Sequence, residues 1–384
     1  MTMKTRAIAI VLAAGYSSRM GKFKPLLPLG ETTVLERVIA LFRDAGIRDI
    51  RVVVGYRSED LLPLLGKMRV SYTVNQNFRA GMFSSVVAGV KALEESANVF
   101  FILPVDIPLI RPWTVRLLFQ AYQEGKGKII HPCFQGKRGH PPLISACLAD
   151  QITAWSGRDG LKGALAQLEA DAIQIEVPDE SILLDMNTLD DYHQLQAKWR
   201  RYDIPTSREC EVLLNTTFPV EKGVYDHSHL VARLALLMGT ALNDAGCSLD
   251  LDLILAGALL HDIAKGTTHH AVAGGRILRE MGYLRVADIA ASHVDIVIHE
   301  EEEINESEVV YVSDKMVLGD QYVADLRPRF EAKLREFSHA PDIQENINRR
   351  LENALRIQRC VERRLNRPLE DILSQVVFKA AEAF

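Results

Sequence analysis

The chain has 384 residues, 48% of them hydrophobic and 25% charged, and a formal net charge of -5. That length exceeds what a single core usually serves, and the composition is that of a folded globular protein, which excludes a disordered chain and predicts two domains. The acidic balance argues against a nucleic-acid-binding surface, and no apolar stretch is long enough to span a membrane.

Near the start, Lys4 and Arg6 precede the apolar run Ala7 to Ala14. The run is short and Arg19, Lys22 and Lys24 follow closely, so it reads as a buried strand rather than a secretion signal. The first thirty residues hold no carboxylate, which predicts an anion site there. Further strands are expected at Ile50 to Val54, Val70 to Val74, Val99 to Leu103 and Ile173 to Val177, with amphipathic helices at Thr33 to Ala45 and Ser84 to Glu95. Such alternation predicts an α/β domain with a mostly parallel sheet, whose ligands gather at the carboxyl ends of the strands. Ile129 to Ser145, richer in Pro and Gly, reads as loop and short strands.

A polar helix follows Leu189, and the stretch 203–223, with Pro205, Pro219 and little periodicity, reads as a linker. It separates a first domain, 1–202, from a second, 224–384. Helical periodicity dominates the second, at Ser228 to Leu242, Leu251 to Ala264, Ala271 to Glu280, Val286 to Ala291, Val309 to Gly319 and in long helices after Pro328. The run Glu300 to Glu303 reads as a solvated acidic surface. Cys133, Cys147, Cys210, Cys247 and Cys360 are odd in number and form no C-x-x-C, which fits the reducing cytoplasm.

Leu12, Ala13, Ala14 and Gly15 end the first strand in a small-residue turn that lets phosphate approach backbone amides. Five residues separate Gly15 from Gly21 and Phe23 follows Lys22, so this is not a P-loop. Arg19 and Lys24 supply charge suited to a triphosphate and its departing pyrophosphate. The run from Leu12 to Leu27 resembles the signature of the MobA-like nucleotidyltransferase family, particularly its molybdenum cofactor cytidylyltransferase branch. The resemblance covers essentially the whole first domain and implies a Rossmann-like, GT-A-type fold.

On that resemblance, Asn75, Gly81 and Ser84 belong to a second nucleotide-binding segment. Asp106, at the end of a hydrophobic strand, holds a catalytic magnesium; an Asp so placed is also an ordinary helix cap or turn former. Gly139, His140 and Pro141 resemble the G-H-P element of the acceptor pocket, although His140 serves equally as a turn residue. Asp185 supplies a second magnesium ligand, with Asn187 where the branch usually has Asp. The implied reaction is attack by an acceptor phosphate oxygen on the α-phosphorus of a nucleoside triphosphate. Leu12-Ala13-Ala14-Gly15 fits the CTP branch, the favoured acceptor is molybdopterin, and a client molybdoenzyme follows. Alternatives are a sugar phosphate or other phosphorylated acceptor, or a non-catalytic pterin-nucleotide carrier with a regulatory second domain.

In the second domain His227 opens a helix, His261-Asp262 close another, and Asp314 follows in the same order as in the HD-domain phosphohydrolase superfamily, which this region, Tyr225 to Asp320, resembles. The resemblance implies His227, His261, Asp262 and Asp314 as metal ligands, His270 and His293 as ligands of a second ion, and Lys265 as a phosphate contact. One or two divalent ions are expected, with Mn, Fe, Mg, Ni and Co not distinguished, and a phosphoester or nucleotide as substrate. His229 and His269 are read as bystanders.

Overall fold

The computed structural model describes residues 5–17, 20–298 and 303–373. Lys4, Arg19 and Glu300 to Glu302 lie outside the described residues. The chain divides into two compact units, Met1–Tyr202 and Asp203–Phe384.

The first unit is built on strands β1 (Ala7–Ala13), β2 (Asp49–Val54), β3 (Ser71–Val74), β4 (Val99–Pro104), β5 (Ile129–Phe134), β6 (Lys137–Arg138), β7 (Leu143–Ser145) and β8 (Ala172–Glu176). They form one sheet in the order β8-β5-β7-β4-β1-β2-β3, with β6 paired to β5. All seven side chains of β1 are buried, because it runs at the centre of the sheet with parallel neighbours on both edges. The exceptions to parallel pairing are β7, antiparallel to both β4 and β5, and the short β6, antiparallel to β5. Strand β7 lies in the Pro- and Gly-rich segment expected to hold loop and short strands, and its three residues are buried.

Helices α1 (Val34–Asp44), α2 (Ser58–Met68), α3 (Met82–Lys91), α4 (Pro112–Gln123) and α5 (Leu189–Arg200) accompany the sheet. Helix α1 starts where Thr33 and Glu36 close a capping box, which satisfies amides that the first helical turn leaves unpaired. Helix α3 begins two residues earlier than its expected start, after Gly81 turns the chain at φ +94°.

In the second unit the stretch expected to be an irregular linker carries a helix, Ser207–Val212, and a π-helical turn, Leu213–Thr217. Thr206 and Glu209 form its capping box, and Cys210, Leu213 and Leu214 are buried. Helices α6 (Lys222–Asp244), α7 (Leu251–Leu260), α8 (His270–Glu280), α9 (Leu284–Ser292) and α10 (Glu306–Lys315) follow, then α11 (Arg327–Glu336) and α12 (Pro341–Leu365). Helix α7 is apolar around most of its surface and sits among the others. At Gly257 a Cβ would come within 2.7 Å of Ile289, so this glycine permits the close α7–α9 crossing. Helix α6 starts well before His227, which therefore sits in its second turn rather than at its opening. Helix α10 stops at Lys315 and gives way to a short strand, Val317–Leu318, so the helix expected to reach Gly319 is cut short.

Candidate active sites

In the first unit, Leu12, Ala13, Ala14 and Gly15 leave the end of β1 and border a cavity of about 290 Å³ that also touches Asp106 and Asn187. A Cβ placed on Gly15 would meet no protein atom, so the turn faces open space. Asp106 follows β4, the strand adjacent to β1. Its carbonyl accepts from the Met186 amide at 2.9 Å, which draws the Asp185–Asn187 segment against it.

Lys24 Nζ donates to Asp106 Oδ2 at 2.9 Å and to Asn187 Oδ1 at 3.4 Å. The Asn187 amide in turn donates to the Asp185 carboxylate. Asn187 thus does what an aspartate could not, accepting from a cation with one atom and donating to a carboxylate with the other. Asp191 Oδ2 accepts from the Asn187 and Thr188 amides at 2.9 and 2.7 Å and fixes this loop at the start of α5. Those backbone bonds hold the Asp191 carboxyl below its ordinary range.

Asn75 and Ser84 are not among the residues that border this cavity. Asn75 Nδ2 donates to Ser84 Oγ and Ser85 Oγ at 2.8 and 3.0 Å, its Oδ1 accepts from the Asn77 amide, and Ser84 Oγ donates to the Asn77 and Gly81 carbonyls. Both brace the turn; Gly81, Phe78, Met82 and Ser85 reach the cavity instead. Tyr16, Phe78 and Tyr56 stack loosely, with the Tyr16 ring 5.0 Å from Tyr56 and 5.3 Å from Phe78, an aromatic edge to the cavity that the sequence reading missed.

Gly139 donates its amide to the Pro132 carbonyl at 2.8 Å, and a Cβ there would lie 2.6 Å from the Ile182 carbonyl oxygen. His140 is anchored through its amide to Ile182 O. Burial lowers the His140 pKa, against the pull of the Asp106 and Asp185 charges, so the ring is neutral near pH 7, and its Nδ1 is buried without a partner. Pro141 is buried.

In the second unit the ends of four helices and the flank of a fifth converge. His227 comes from α6, His261 and Asp262 follow α7, His270 begins α8, His293 follows α9, and Asp314 lies on α10. His261 Nδ1 lies 2.7 Å from the Ala258 carbonyl, His293 Nδ1 2.7 Å from that of Ala290, and His227 Nδ1 3.0 Å from that of Gly319. A carbonyl only accepts, so each Nδ1 carries a proton and each Nε2 is turned inward. This is how backbone carbonyls orient ligand histidines.

His261 is fully buried, and burial pushes its pKa down to about 4 despite the Asp262 charge. Its neutral Nε2 has no hydrogen-bond partner. An orphaned, inward lone pair beside carboxylates is what a divalent cation would satisfy. His227 Nε2 is 3.1 Å from Asp314 Oδ1. Burial alone would raise the Asp314 carboxyl, yet the Lys315 ammonium and His227 hold it well below the usual carboxylate range.

Donor atoms of His227, His261 and Asp262 lie within 4.8 Å of one another, as do those of Asp262, His270 and His293. Asp262 belongs to both groups. Lys265 Nζ donates to Asp262 Oδ2 at 2.9 Å, so it rests on the carboxylate rather than free in solvent. His229 bonds Glu211 at 2.9 Å, away from this cluster.

The family model for the MobA-like NTP transferase domain matches residues 9–172, and that for the HD domain matches 224–317. The molybdenum cofactor cytidylyltransferase of Escherichia coli is 30% identical over 196 residues, 51% of this chain and 97% of that protein. A molybdenum cofactor guanylyltransferase of Xanthomonas euvesicatoria is 36% identical over 29% of this chain and 52% of its own length. A crystal structure of Rv0371c from Mycobacterium tuberculosis is 24% identical, with 51% of this chain and 100% of that chain aligned at a TM-score of 0.46. The chain belongs to the MobA-like NTP transferase family, carrying an HD domain in its second unit.

Proposed function

We propose that the first unit transfers CMP from CTP to a phosphorylated acceptor, molybdopterin before others, with release of pyrophosphate. The observation that carries this reading is the Lys24–Asp106–Asn187–Asp185 chain at the mouth of the cavity that Leu12 to Gly15 border. The 30% identity to a cytidylyltransferase supports the choice of base and acceptor.

Asp106 already accepts a hydrogen bond from the Lys24 ammonium, so its oxygen faces a position where positive charge is favoured. Asp106 and Asp185 would hold magnesium, which supplies charge neutralisation for the phosphates. The Gly15 turn and Lys24 bind the triphosphate, joined by Arg19. His140, neutral and close to both acids, together with Gly139 borders the acceptor side. An acceptor phosphate oxygen bonds to the α-phosphorus as the bond to pyrophosphate breaks, and catalysis rests on positioning and charge.

For the second unit we propose hydrolysis of a phosphoester or nucleotide. His227, His261, Asp262 and Asp314 would hold one divalent ion and His270 and His293 a second that shares Asp262. Such ions supply Lewis acidity toward a phosphoryl oxygen and toward water. Lys265 meets substrate phosphate after leaving Asp262. The five unpaired cysteines suit a cytoplasmic setting.

Mass analysis of the pterin product after incubation with magnesium, molybdopterin and CTP, GTP, ATP or UTP tests the first reading. It predicts a pterin cytidine dinucleotide. A guanine dinucleotide, or an unmodified pterin with all four nucleotides, overturns it.

A further inference from the structure

The HD domain match ends at residue 317, yet the cavity over the histidine–aspartate cluster does not. Helices α11 and α12 close one side of its roughly 430 Å³ with Arg329, Phe330 and Lys333 from α11 and Ile347 and Arg350 from α12. Among the described residues, Lys265, Lys315, Arg329, Lys333 and Arg350 line this cavity against the carboxylates of Asp262 and Asp314. A cavity with that excess of cations, and with divalent ions added at its floor, is built for a multiply charged anion.

The cations differ in what they are already doing. Arg329 donates to the carbonyls of Asp314, Lys315 and Val317 at 3.1, 3.0 and 2.7 Å, and so closes the C-terminal end of α10. Lys315 is held between Asp314 Oδ2 and the His293 carbonyl at 2.6 and 2.8 Å. Arg350 donates to Asp295 at 2.7 Å and keeps a buried Nε without a partner. Lys265 rests on Asp262. Lys333 has no carboxylate within ion-pair distance among the described residues. Partial burial, with the Arg329 and Lys315 charges beside it, pulls its pKa down. It is the cavity cation whose charge the protein leaves unmet. Val224, Phe330 and Ile347 add an apolar face to the same cavity, which suits an organic group rather than a bare inorganic ion.

We propose that Lys333 binds a second phosphoryl group of the second unit's substrate, so that this unit acts on organic diphosphates of the nucleoside diphosphate class. The terminal phosphoryl group lies at the histidine–aspartate cluster and the inner one at Lys333, with the organic part against Phe330 and Ile347. Water adds to the terminal phosphorus and the bridging P–O bond breaks, giving the organic monophosphate, inorganic phosphate and a proton. This assignment rests on the hydrolase reading of the second unit.

The test uses the full chain carrying Lys24→Ala and Asp106→Ala, which weakens nucleotide binding in the first unit. Dissociation constants for inorganic phosphate, which fills only the terminal position, and for the uncleavable methylene-bridged analogue of ADP are measured by calorimetry with Mn²⁺, and phosphate release from ADP is measured separately with Mn²⁺. The expected result is binding of the analogue at least tenfold tighter than phosphate, about 1.4 kcal/mol. Adding Lys333→Ala weakens the analogue about tenfold and leaves phosphate binding within twofold, and Lys333→Arg restores it. Circular dichroism checks that the Lys333 replacements leave the fold intact. Equal binding of phosphate and the analogue, or a Lys333→Ala loss shared by both, overturns the proposal. Lys333-dependent binding of the analogue without any phosphate release from ADP supports recognition of the diphosphate and instead overturns the hydrolase reading.

Discussion

His270 and His293 direct their Nε2 atoms at each other across 3.3 Å, and each lies 3.2 Å from the same Asp262 oxygen. Inward nitrogens this close to one another and to one carboxylate oxygen need a shared cation or a proton between them. With Asp106→Ala in place to remove the first unit's ion site, the chain is therefore expected to bind two equivalents of Mn²⁺, and with His270→Ala added about one, by elemental analysis after dialysis. Metal should also raise the unfolding temperature of the wild type more than that of His270→Ala, since an ion that binds only the folded state stabilises it.

Lys24 spans Asp106 and Asn187 in the first unit. Lys24→Met keeps the length of the side chain and removes its charge. Pyrophosphate release is expected to fall by about a hundredfold in kcat/KM, the order found when one preorganised electrostatic contact to a transition state is lost. An unchanged kcat/KM would show that Lys24 only braces the loop.

Much of both sites was legible in the sequence where the chemistry is contiguous. The Leu12 to Gly15 turn, the Asp106 strand end and the His261-Asp262 pair each advertise themselves over a few residues, and the structure brings the turn, Asp106 and Asp262 to cavities. Asn75 and Ser84 were visible as residues but not as braces, because the direction of their hydrogen bonds is decided by how the turn folds onto α3. Asp191 gave no local sign of anchoring the Asn187 loop beyond a helix start. The helix Ser207–Val212 was hidden by Pro-containing surroundings that read as a linker, and the expectation of short strands in Ile129 to Ser145 carried no sign of the antiparallel direction of β7. Lys333 and Arg350 belong to helices whose polar sequences give no hint that they face a cavity.

Gly139 is held where a side chain has no room, since a Cβ would meet Ile182 O and Cγ1 at 2.6 Å. Gly139→Ala is expected to destabilise the first unit by about 1–3 kcal/mol, as overpacking does. Urea unfolding followed by fluorescence measures it, and a shift in midpoint without a change in slope is the predicted form.

His131 is buried on β5, and burial, reinforced by the Arg138 charge, pushes its pKa down to about 4. The unfolded chain takes up this proton near pH 6.5 and the folded one only near pH 4, so the folded state loses stability as pH falls between those values and keeps it above them. The full effect is roughly 3 kcal/mol. His131→Gln should flatten the pH dependence of the first unit's unfolding over that window; a slope identical to wild type would mean that the proton is taken up elsewhere.

Nucleotidyl transfer by the first unit has a direct readout in pyrophosphate release. Asp262→Ala protein, in which the second unit is silenced, is incubated with magnesium, molybdopterin and CTP. The expected release requires molybdopterin, exceeds that with GTP, ATP or UTP, and disappears in the Asp106→Ala, Asp262→Ala double variant while its fold persists. Tight nucleotide binding with no release for any nucleotide, or release that survives loss of Asp106, would contradict it.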